Sequence, residues 1–225
     1  YEPGVDVEAV ALEGAEAIAY VVGSTDEDDL AAPDEIIEPS RTSVAGEHFS
    51  VSPGSFWQVH RAAPELLTAT VLEGLRVEEG DGVLDGYCGA GLFTLPIARR
   101  VGRKGRVIGV EATMSAAIDA SSNLAELPAA RVLNAPLSPT LLADNLRGIS
   151  KAVLDPPRSG VDRRALDALL AHEPLERLVM VSCDPATLAR DLARCLAAGF
   201  ELEGLRAFDL FEHTEHLEAV ATLSR

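Results

Sequence analysis

Several side chains in the second half of the chain have the chemistry of a nucleophile and of acid–base groups. Cys183 follows the apolar run Leu178–Val181 and precedes a predicted helix, whose N-terminus favours the thiolate and lowers the thiol pKa below its usual ~8.5. Asp155 ends a second apolar run and is followed by two prolines, which fix the backbone beside it. Glu218 lies in the last predicted strand, where a carboxylate can act as an acid or a base. The simpler alternatives are a small buried cysteine at 183 and a turn-capping carboxylate at 155.

A second group of residues has the spacing of a nucleotide-binding site. The run Val83-Leu84-Asp85 predicts a strand, the turn Gly89-Ala90-Gly91 follows it, and apolar residues then resume at helical spacing. Glu111 ends the next predicted strand, twenty residues after the turn, where a carboxylate suits a ribose diol. Thr94 stands in place of a third glycine, which disfavours NAD. A purely structural turn with a surface glutamate is the alternative, but the order strand, turn, helix, strand and acid favours a ligand site.

These candidates need a scaffold that brings strand ends together, and the chain alternates predicted strands with predicted helices. Strands are predicted at 5–11, 15–22, 43–51, 83–85, 106–110, 131–133, 151–154, 178–181, 200–208 and 216–223. Helices are predicted at 61–75, 92–98, 114–126, 140–146, 162–171 and 185–198. Repeated βα units indicate an α/β fold, Rossmann-like with a mostly parallel sheet, whose ligand lies at the carboxyl ends of the strands. Asn134 joins the candidates because it follows one of these strands, and the short link before the last strand favours an antiparallel pair at the sheet edge.

Charge is concentrated at the beginning of the chain. The 225 residues carry 36 acidic and 19 basic side chains, a net charge of −17, and residues 1–47 contribute thirteen of the acids and a single base, Arg41. This balance argues against nonspecific nucleic-acid binding by the chain alone. We predict a partial β-rich region over residues 1–52 and one larger α/β domain over residues 53–225.

Cysteine usage and hydropathy indicate the compartment. The three cysteines are widely spaced, no secretory signal is visible, and no apolar run approaches the about 20 residues that span a bilayer. We therefore expect a reducing, cytoplasmic location and no membrane partner. Cys88 and Cys195 are expected in the core. Residues 209–218 are rich in histidine and carboxylate groups, but their spacing matches no known metal pattern, and no metal site is predicted.

Six motifs in a fixed order give the chain a family resemblance. They are FWQV at 56–59, VLD at 83–85 with YCGAG at 87–91, GVE at 109–111, DPPR at 155–158, SCDPATLARD at 182–191, and HT at 213–214 followed by HLE at 216–218. From about residue 52 to its end, the chain resembles the S-adenosylmethionine-dependent RNA 5-methyluridine methyltransferases, which act on bacterial rRNA or tRNA. The resemblance implies a class I methyltransferase fold, S-adenosylmethionine as cofactor and RNA as substrate.

The resemblance also implies a role for each matching residue. Cys183 matches the nucleophile that attacks C6 of uracil, and Glu218 matches the base that removes the C5 proton. Contacts with the cofactor or substrate are implied for Gln58, Tyr87, Glu111, Asn134 and Asp155, which join Gly89 and Gly91 of the turn in the predicted cofactor site. The sequence departs from the family pattern at Gly86, Leu92, Asp184 and Glu212. Asp184, next to the nucleophile, is expected to raise the pKa of the thiol.

Two other functions remain open at the level of the sequence. One is a methyltransferase for a small molecule or a protein, which would need Glu111 but not Cys183. The other is a noncatalytic module that binds S-adenosylmethionine or RNA. Members of the family often carry an N-terminal RNA-binding β-barrel that is not recognisable in this sequence. We expect RNA binding to require such a domain, and we expect the protein to be a monomer.

Overall fold

The computed structural model describes residues 6–10, 18–22, 39–211 and 217–225, the first two ranges by their backbone alone. The strands are β1 (Asp6–Val10), β2 (Ile18–Val22), β3 (Ser40–Val44), β4 (Glu47–Val51), β5 (Gly82–Gly86), β6 (Arg106–Glu111), β7 (Ala130–Asn134), β8 (Lys151–Leu154), β9 (Arg177–Ser182), β10 (Glu201–Phe208) and β11 (Glu218–Ser224). The helices are α1 (Ala63–Leu75), α2 (Thr94–Val101), α3 (Met114–Asn123), α4 (Pro139–Asn145), α5 (Arg163–Leu170) and α6 (Pro185–Ala197). A 3₁₀ turn at Gly102–Lys104 follows α2. The fold class is the predicted one, an α/β protein with a mostly parallel sheet.

Seven strands form the central sheet in the order β10-β11-β9-β8-β5-β6-β7. Strands β5 to β9 run parallel to one another, whereas β11 runs antiparallel to both of its neighbours, β9 and β10. Strands β5, β8 and β9 are buried along their whole length, as expected for parallel strands covered on both faces. The antiparallel edge pair expected from the short link is therefore confirmed. None of the described helices has the length and apolar character needed to cross a bilayer.

Apolar side chains form a core on each face of the sheet. One cluster includes Leu67 and Val71 of α1 and Ile97 of α2, and the other includes Leu166 of α5 and Cys195 of α6. Cys195 is fully buried, and Cys88 is 4 % exposed. Both cysteines therefore lie in the core, as predicted.

The single strand predicted over residues 43–51 is wrong, because the structure has a hairpin there. Strand β3 pairs with β4 in antiparallel register, with Val44 opposite Glu47. The two residues between them, Ala45 and Gly46, both have positive φ angles, 51° and 83°. Such a pair makes a tight two-residue turn, but alanine is uncommon in that conformation, so the sequence carried no strong turn signal.

The β3–β4 hairpin is anchored to the core of the sheet. Phe49 is 2 % exposed and packs against Trp57, with ring centroids 5.3 Å apart. On the polar side, Asp119 of α3 accepts hydrogen bonds from the backbone N–H and the hydroxyl of Ser52, at 2.9 and 2.6 Å. Asn123 likewise bonds the backbone of Ser50. Two side chains of α3, Asp119 and Asn123, thus fix the end of the hairpin.

Strands β1 and β2 pair antiparallel, with Asp6 opposite Val22. The two strands predicted near the N-terminus are therefore confirmed, while the turn predicted at residues 13–14 lies outside the described residues. No finding tests the division of the chain at residues 52 and 53, which stays a prediction.

The anchoring of the hairpin leads to a stability prediction. We expect Phe49→Ala to lower the free energy of unfolding by about 3–5 kcal/mol, because it removes a fully packed aromatic ring. Phe56→Ala is the matched control, because this ring is 67 % exposed, and its truncation should change stability by less than about 0.5 kcal/mol. Urea denaturation of both variants measures the difference. Equal effects would mean that the hairpin is not part of the core.

Candidate active site

The predicted site residues lie at one edge of the sheet, where the parallel strands end. Tyr87, Gly89 and Gly91 follow β5, Glu111 and Asn134 are the last residues of β6 and β7, Asp155 and Cys183 follow β8 and β9, and Glu218 begins β11. Gln58 lies apart from the strands in the segment between β4 and α1 and is 9 % exposed. The fold thus gathers residues from six strands at a single rim, which is where parallel α/β sheets bind their ligands.

The glycine turn and Glu111 are joined by a direct hydrogen bond. The Gly89 N–H donates to Oε2 of Glu111 at 2.9 Å, and the Thr113 N–H donates to Oε1 at 2.7 Å. Gly89 and Gly91 have φ angles of 52° and 92°, which side chains other than glycine rarely adopt. The turn can take this shape only with glycine at these positions, and it fixes the carboxylate over the end of β5.

The side chain of Asn134 ties the ends of two neighbouring strands together. Its amide donates to the backbone carbonyls of Glu111, at 3.0 Å, and Ala112, at 3.1 Å. This amide therefore holds the backbone that carries Glu111, and it leaves the side-chain oxygen of Asn134 available to a ligand.

Tyr87 occupies an unusual conformation beside the turn. Its φ angle is 65°, rare for an aromatic residue, and its backbone N–H bonds the carbonyl of Val110 at 2.8 Å. Burial raises the pKa of its hydroxyl, which also hydrogen-bonds the backbone of Asp162. Non-glycine residues in this region of φ are often found at functional sites.

An open cavity of about 600 Å³ lies next to these residues. Its lining includes Tyr87, Ala112, Ala135 and Leu137, and on its other side the loop after β8 together with Arg190 and Asp191 of α6. Because Ala112 and Ala135 directly follow Glu111 and Asn134, the cavity continues from the carboxylate site. A larger cavity of about 990 Å³ lies between the β3–β4 hairpin and α3, away from the thiol at residue 183. The smaller cavity therefore borders Tyr87 and the segments that directly follow Glu111 and Asn134.

Cys183 and Glu218 face each other across neighbouring strands. In the antiparallel register of β9 and β11, Ala219 pairs with Ser182. The next positions along the two strands are Glu218 and Cys183. Glu218 is only 4 % exposed, and Cys183 is partly exposed. A thiol and a carboxyl group from two neighbouring strands thus lie side by side at the rim.

The thiol is not activated in the way that the sequence suggested. Burial, with the charge of Glu218 as the second cause, raises the pKa of Cys183, so the expected lowering by the helix N-terminus is wrong as a net effect. The Arg158 guanidinium, whose positive charge acts on the sulfur, opposes this rise in pKa. Asp184 uses its carboxylate to cap α6, accepting from the Thr187 N–H at 2.7 Å. Arg158 is therefore a site residue that sequence reasoning missed, although it stands in the DPPR motif.

Three carboxyl groups near the ends of β5, β8 and β11 have raised pKa values. Burial, and then the charge of Asp155, raises the pKa of Glu218 to about 8. Burial likewise raises the pKa of Asp155 to about 7. Asp85 is fully buried, and although it accepts a 2.5 Å hydrogen bond from the Thr94 hydroxyl, burial raises its pKa to about 7. The rim is thus rich in carboxyl groups that are easily protonated near neutral pH.

Only one of the two carboxyl oxygens of Asp85 accepts a hydrogen bond from the described residues. Among the described residues, Oδ1 of Asp85 is buried and has no hydrogen-bond partner. A buried acceptor without a partner is costly, and such atoms at a binding site often receive a ligand donor. Asp85 was interpreted from the sequence only as the end of a strand, because the contacts that bury it come from distant parts of the chain.

Within the described residues, no group of three or more histidine, cysteine or carboxylate side chains could hold a metal ion. His213, His216 and Glu212 lie outside the described residues.

Two family models match separate parts of the chain. The model of tRNA (uracil-5-)-methyltransferases matches residues 145–225, which include Asp155, Cys183 and Glu218. The model of protein-L-isoaspartate(D-aspartate) O-methyltransferases matches residues 52–137, which include the glycine turn and Glu111. The first match covers the thiol and the carboxylates, and the second covers the nucleotide-type half of the rim.

Individual RNA methyltransferases are also similar to this chain in sequence. The chain is 39 % identical over 183 residues to an RNA methyltransferase of Streptomyces avermitilis, covering 81 % of this chain and 42 % of the relative. It is 35 % identical over 185 residues to a 23S rRNA (uracil(1939)-C(5))-methyltransferase of Acinetobacter baumannii, covering 79 % of this chain and 39 % of the relative. The chain thus spans about two fifths of the length of these curated relatives.

A solved structure extends the similarity to the fold. It is the tRNA (uracil-54, C5)-methyltransferase of Pyrococcus abyssi in complex with S-adenosyl-L-homocysteine. The match has a TM-score of 0.69 and 29 % identity, and it covers 83 % of this chain and 44 % of the other.

The buried carboxyl groups lead to a prediction of pH-dependent stability. The pKa values of Asp85, Asp155 and Glu218 are raised in the folded state, so the folded state binds protons more tightly than the unfolded one. Their contribution to stability is complete below about pH 4 and is lost as the pH rises to about 7–8. We therefore expect the free energy of unfolding to fall between pH 5 and pH 8.

Asp85→Asn should make that fall shallower, because the amide is never charged and can still accept from Thr94. Urea denaturation at several pH values measures the slope, and Asp144→Asn, at an exposed position on α4, is the control. An unchanged slope in Asp85→Asn would contradict the assignment.

Proposed function

We propose that the chain is an S-adenosylmethionine-dependent RNA uracil-C5 methyltransferase, like the proteins that it resembles, and that it transfers a methyl group from S-adenosylmethionine to C5 of a uridine in rRNA or tRNA. One observation carries the proposal: in the sheet register Cys183 lies beside Glu218, at the same rim of the sheet as the glycine turn and Glu111. Cys183 and Glu218 have the chemistry of covalent catalysis at a pyrimidine. The glycine turn and Glu111 suit a nucleoside cofactor.

The residues of the rim fit the cofactor. Glu111 would accept hydrogen bonds from the ribose hydroxyls, since its carboxylate is fixed by two backbone N–H groups. The adenine base would lie in the cavity beside Tyr87, Ala112 and Ala135. The unpartnered Oδ1 of Asp85 suits a donor or the positive charge of the methionine part. Gln58 and Asp155 remain candidates for the transfer end of the site. When bound, the cofactor supplies an electrophilic methyl group on a sulfonium.

Cys183 would begin the reaction, because C5 of uracil is a poor nucleophile. The thiolate adds to C6, and the electron pair of the C5–C6 double bond moves toward C5 and O4 as an enolate. Arg158 would stabilise the thiolate in this step through its positive charge. The enolate carbon C5 then forms a bond to the methyl group, whose old bonding pair stays on the departing sulfur.

Glu218 would complete the reaction. It takes the proton from C5, the electron pair of that C–H bond restores the C5–C6 double bond, and the C6–S bond breaks to release the Cys183 thiolate. Burial gives the carboxyl of Glu218 a pKa of about 8, so its carboxylate is a stronger base than an exposed glutamate. Cys183 and Glu218 can both reach the uracil ring only if the uridine leaves the base stack of the RNA.

A methyltransferase for another substrate is the main competing function. The match of residues 52–137 to the protein-L-isoaspartate O-methyltransferase model favours it for the cofactor half of the site. That half is common to methyltransferases with different substrates, and it does not include Cys183 or Glu218. A noncatalytic cofactor-binding or RNA-binding module is the second alternative. Methyl transfer to RNA that depends on Cys183 distinguishes all three.

We expect Glu111→Ala to weaken binding of S-adenosylhomocysteine by about 1–3 kcal/mol, because it removes a charged acceptor from the ribose site. Isothermal titration calorimetry measures the affinity. Glu65→Ala, at an exposed position in the first turn of α1, is the control. Equal affinities in the Glu111→Ala and unmutated proteins would reject this role for Glu111.

The covalent route predicts different results at the two catalytic positions. In the full-length protein, Cys183→Ala should abolish methyl transfer and leave cofactor binding intact. Glu218→Gln should instead accumulate a methylated RNA–protein adduct that survives denaturing electrophoresis, because the C5 proton stays in place. The unmutated enzyme should form such an adduct with 5-fluorouridine RNA, since fluorine cannot leave as a cation.

Cys195→Ala, which removes a buried thiol on the helix that follows Cys183, should keep the activity and serves as the control. A Cys183→Ala protein that still methylates uridine at C5 would exclude the mechanism.

A further inference from the structure

The loop after β8 carries Arg158 to the sulfur of Cys183, yet it has little structure of its own. Pro156 and Pro157 have no N–H to donate, and the Gly160 N–H bonds the carbonyl of Pro157 at 2.8 Å. At its start the loop is held to β5 by the Asp155 N–H, which reaches the carbonyl of Gly86 at 3.3 Å. The position of Arg158 therefore depends on what holds the far end of the loop.

Two neighbouring residues of α6 hold that far end. Oδ2 of Asp191 accepts from the Val161 N–H at 3.0 Å, and Oδ1 accepts from Nε of Arg190 at 2.9 Å. Arg190 in turn donates to the carbonyl of Ser159 at 3.1 Å. Both Asp191 oxygens are thus used in fixing residues 159–161, one directly and one through Arg190.

The packing at this point is tight. Asp191 is 2 % exposed, although an ionised carboxylate is costly to bury. Gly160 has a φ angle of 78°, and a Cβ there would overlap both Nη2 of Arg190 and Oδ2 of Asp191. The Asp191 carboxylate can therefore pack against the loop only because residue 160 is a glycine.

Helix α6 also begins directly after the nucleophile. Asp184 caps its N-terminus, and Asp191 lies two turns further along the same 13-residue helix. The loop that carries Arg158 is consequently tied to the rigid element that carries Cys183.

We propose that Asp191 is a positioning residue, which fixes the Pro156–Val161 loop so that the Arg158 guanidinium stays against the Cys183 sulfur. The importance of Asp191 for methyl transfer rests on the proposed function, whereas its effect on the pKa of the Cys183 thiol does not depend on that function. Without Asp191, the loop end is released and Arg158 leaves the sulfur, so less of the thiol is ionised at neutral pH. Asp191 touches neither the thiol nor the reacting atoms.

The test is the rate at which iodoacetamide alkylates Cys183, measured against pH by mass spectrometry of its peptide in the full chain. Neither RNA nor cofactor is needed. Asp191→Ala should slow alkylation at pH 7.5 at least about threefold and move the pH profile upward, because only the thiolate reacts. A merely loosened fold would do the opposite, since it would expose the thiol and speed the reaction.

A double-mutant cycle with Arg158 separates positioning from general structure. In an Arg158→Ala background, Asp191→Ala should cause no further slowing, because the group that it positions is gone. Asp167→Ala is the matched control. It removes another aspartate–arginine pair between α5 and α6, with Arg194, that does not bond the loop, and the alkylation rate should stay unchanged.

Two further variants keep the test decisive if Asp191→Ala folds poorly. Asp191→Asn preserves the shape of the side chain but loses the charge that holds Arg190, and Gly160→Ala disturbs the same contact from the loop side. Both should slow alkylation only when Arg158 is present. An unchanged rate, or slowing that persists without Arg158, would overturn the proposal. Loss of methyl transfer in Cys183→Ala tests the proposed function separately, so failure of one can be told from failure of the other.

Discussion

The antiparallel pairing of β11 with β9 is the constraint on which the candidate site depends most. The other central strands run parallel, and their carboxyl ends carry the turn, Glu111, Asp155 and Cys183 to one rim. A parallel final strand would bring its own carboxyl end there instead. Because β11 runs the other way, its first residue, Glu218, arrives at the rim beside the thiol. One reversal of strand direction thus adds a carboxyl group beside the thiol at the edge of the parallel sheet.

The electrostatics of this rim follow from the same burial. Asp85, Asp155 and Glu218 are enclosed by the sheet and the loops above it, and desolvation raises the pKa of each carboxyl group to about 7 or 8. A buried carboxyl cluster repels further negative charge and favours a cation. A sulfonium ligand would reduce this repulsion, and Arg158 supplies local positive charge at the sulfur of Cys183. The carboxyl groups that destabilise the folded protein at neutral pH are those that suit the proposed chemistry.

Connections between distant segments keep the rim in shape. The β3–β4 hairpin is fixed to α3 through Asp119 and Asn123, and it leads directly into the segment with Gln58. On the opposite side, α6 holds the loop after β8 through Asp191. In both cases a side chain on a helix bonds the backbone of a loop. The loops thus gain an order that their own residues, rich in proline and glycine, do not provide.

The sequence by itself determined the order of the strands and helices, the glycine turn, and the residue types at the strand ends. These are local features, since apolar periodicity and turn residues depend on neighbours within a few positions. The predicted roles of Cys183, Glu218 and the cofactor-site residues came from motif resemblance, and they stay predictions. Only the tertiary structure decided that residues 43–51 contain two strands, that one buried oxygen of Asp85 has no partner among the described residues, and that Asp191 bonds the loop that carries Arg158. Asp191 bonds a residue 30 positions away, and such contacts leave no periodic pattern in the sequence. The pKa of Cys183 shows the same limit: the helix start beside it was visible in the sequence, but the burial and the charge of Glu218 that outweigh it arise only when separate strands are packed together.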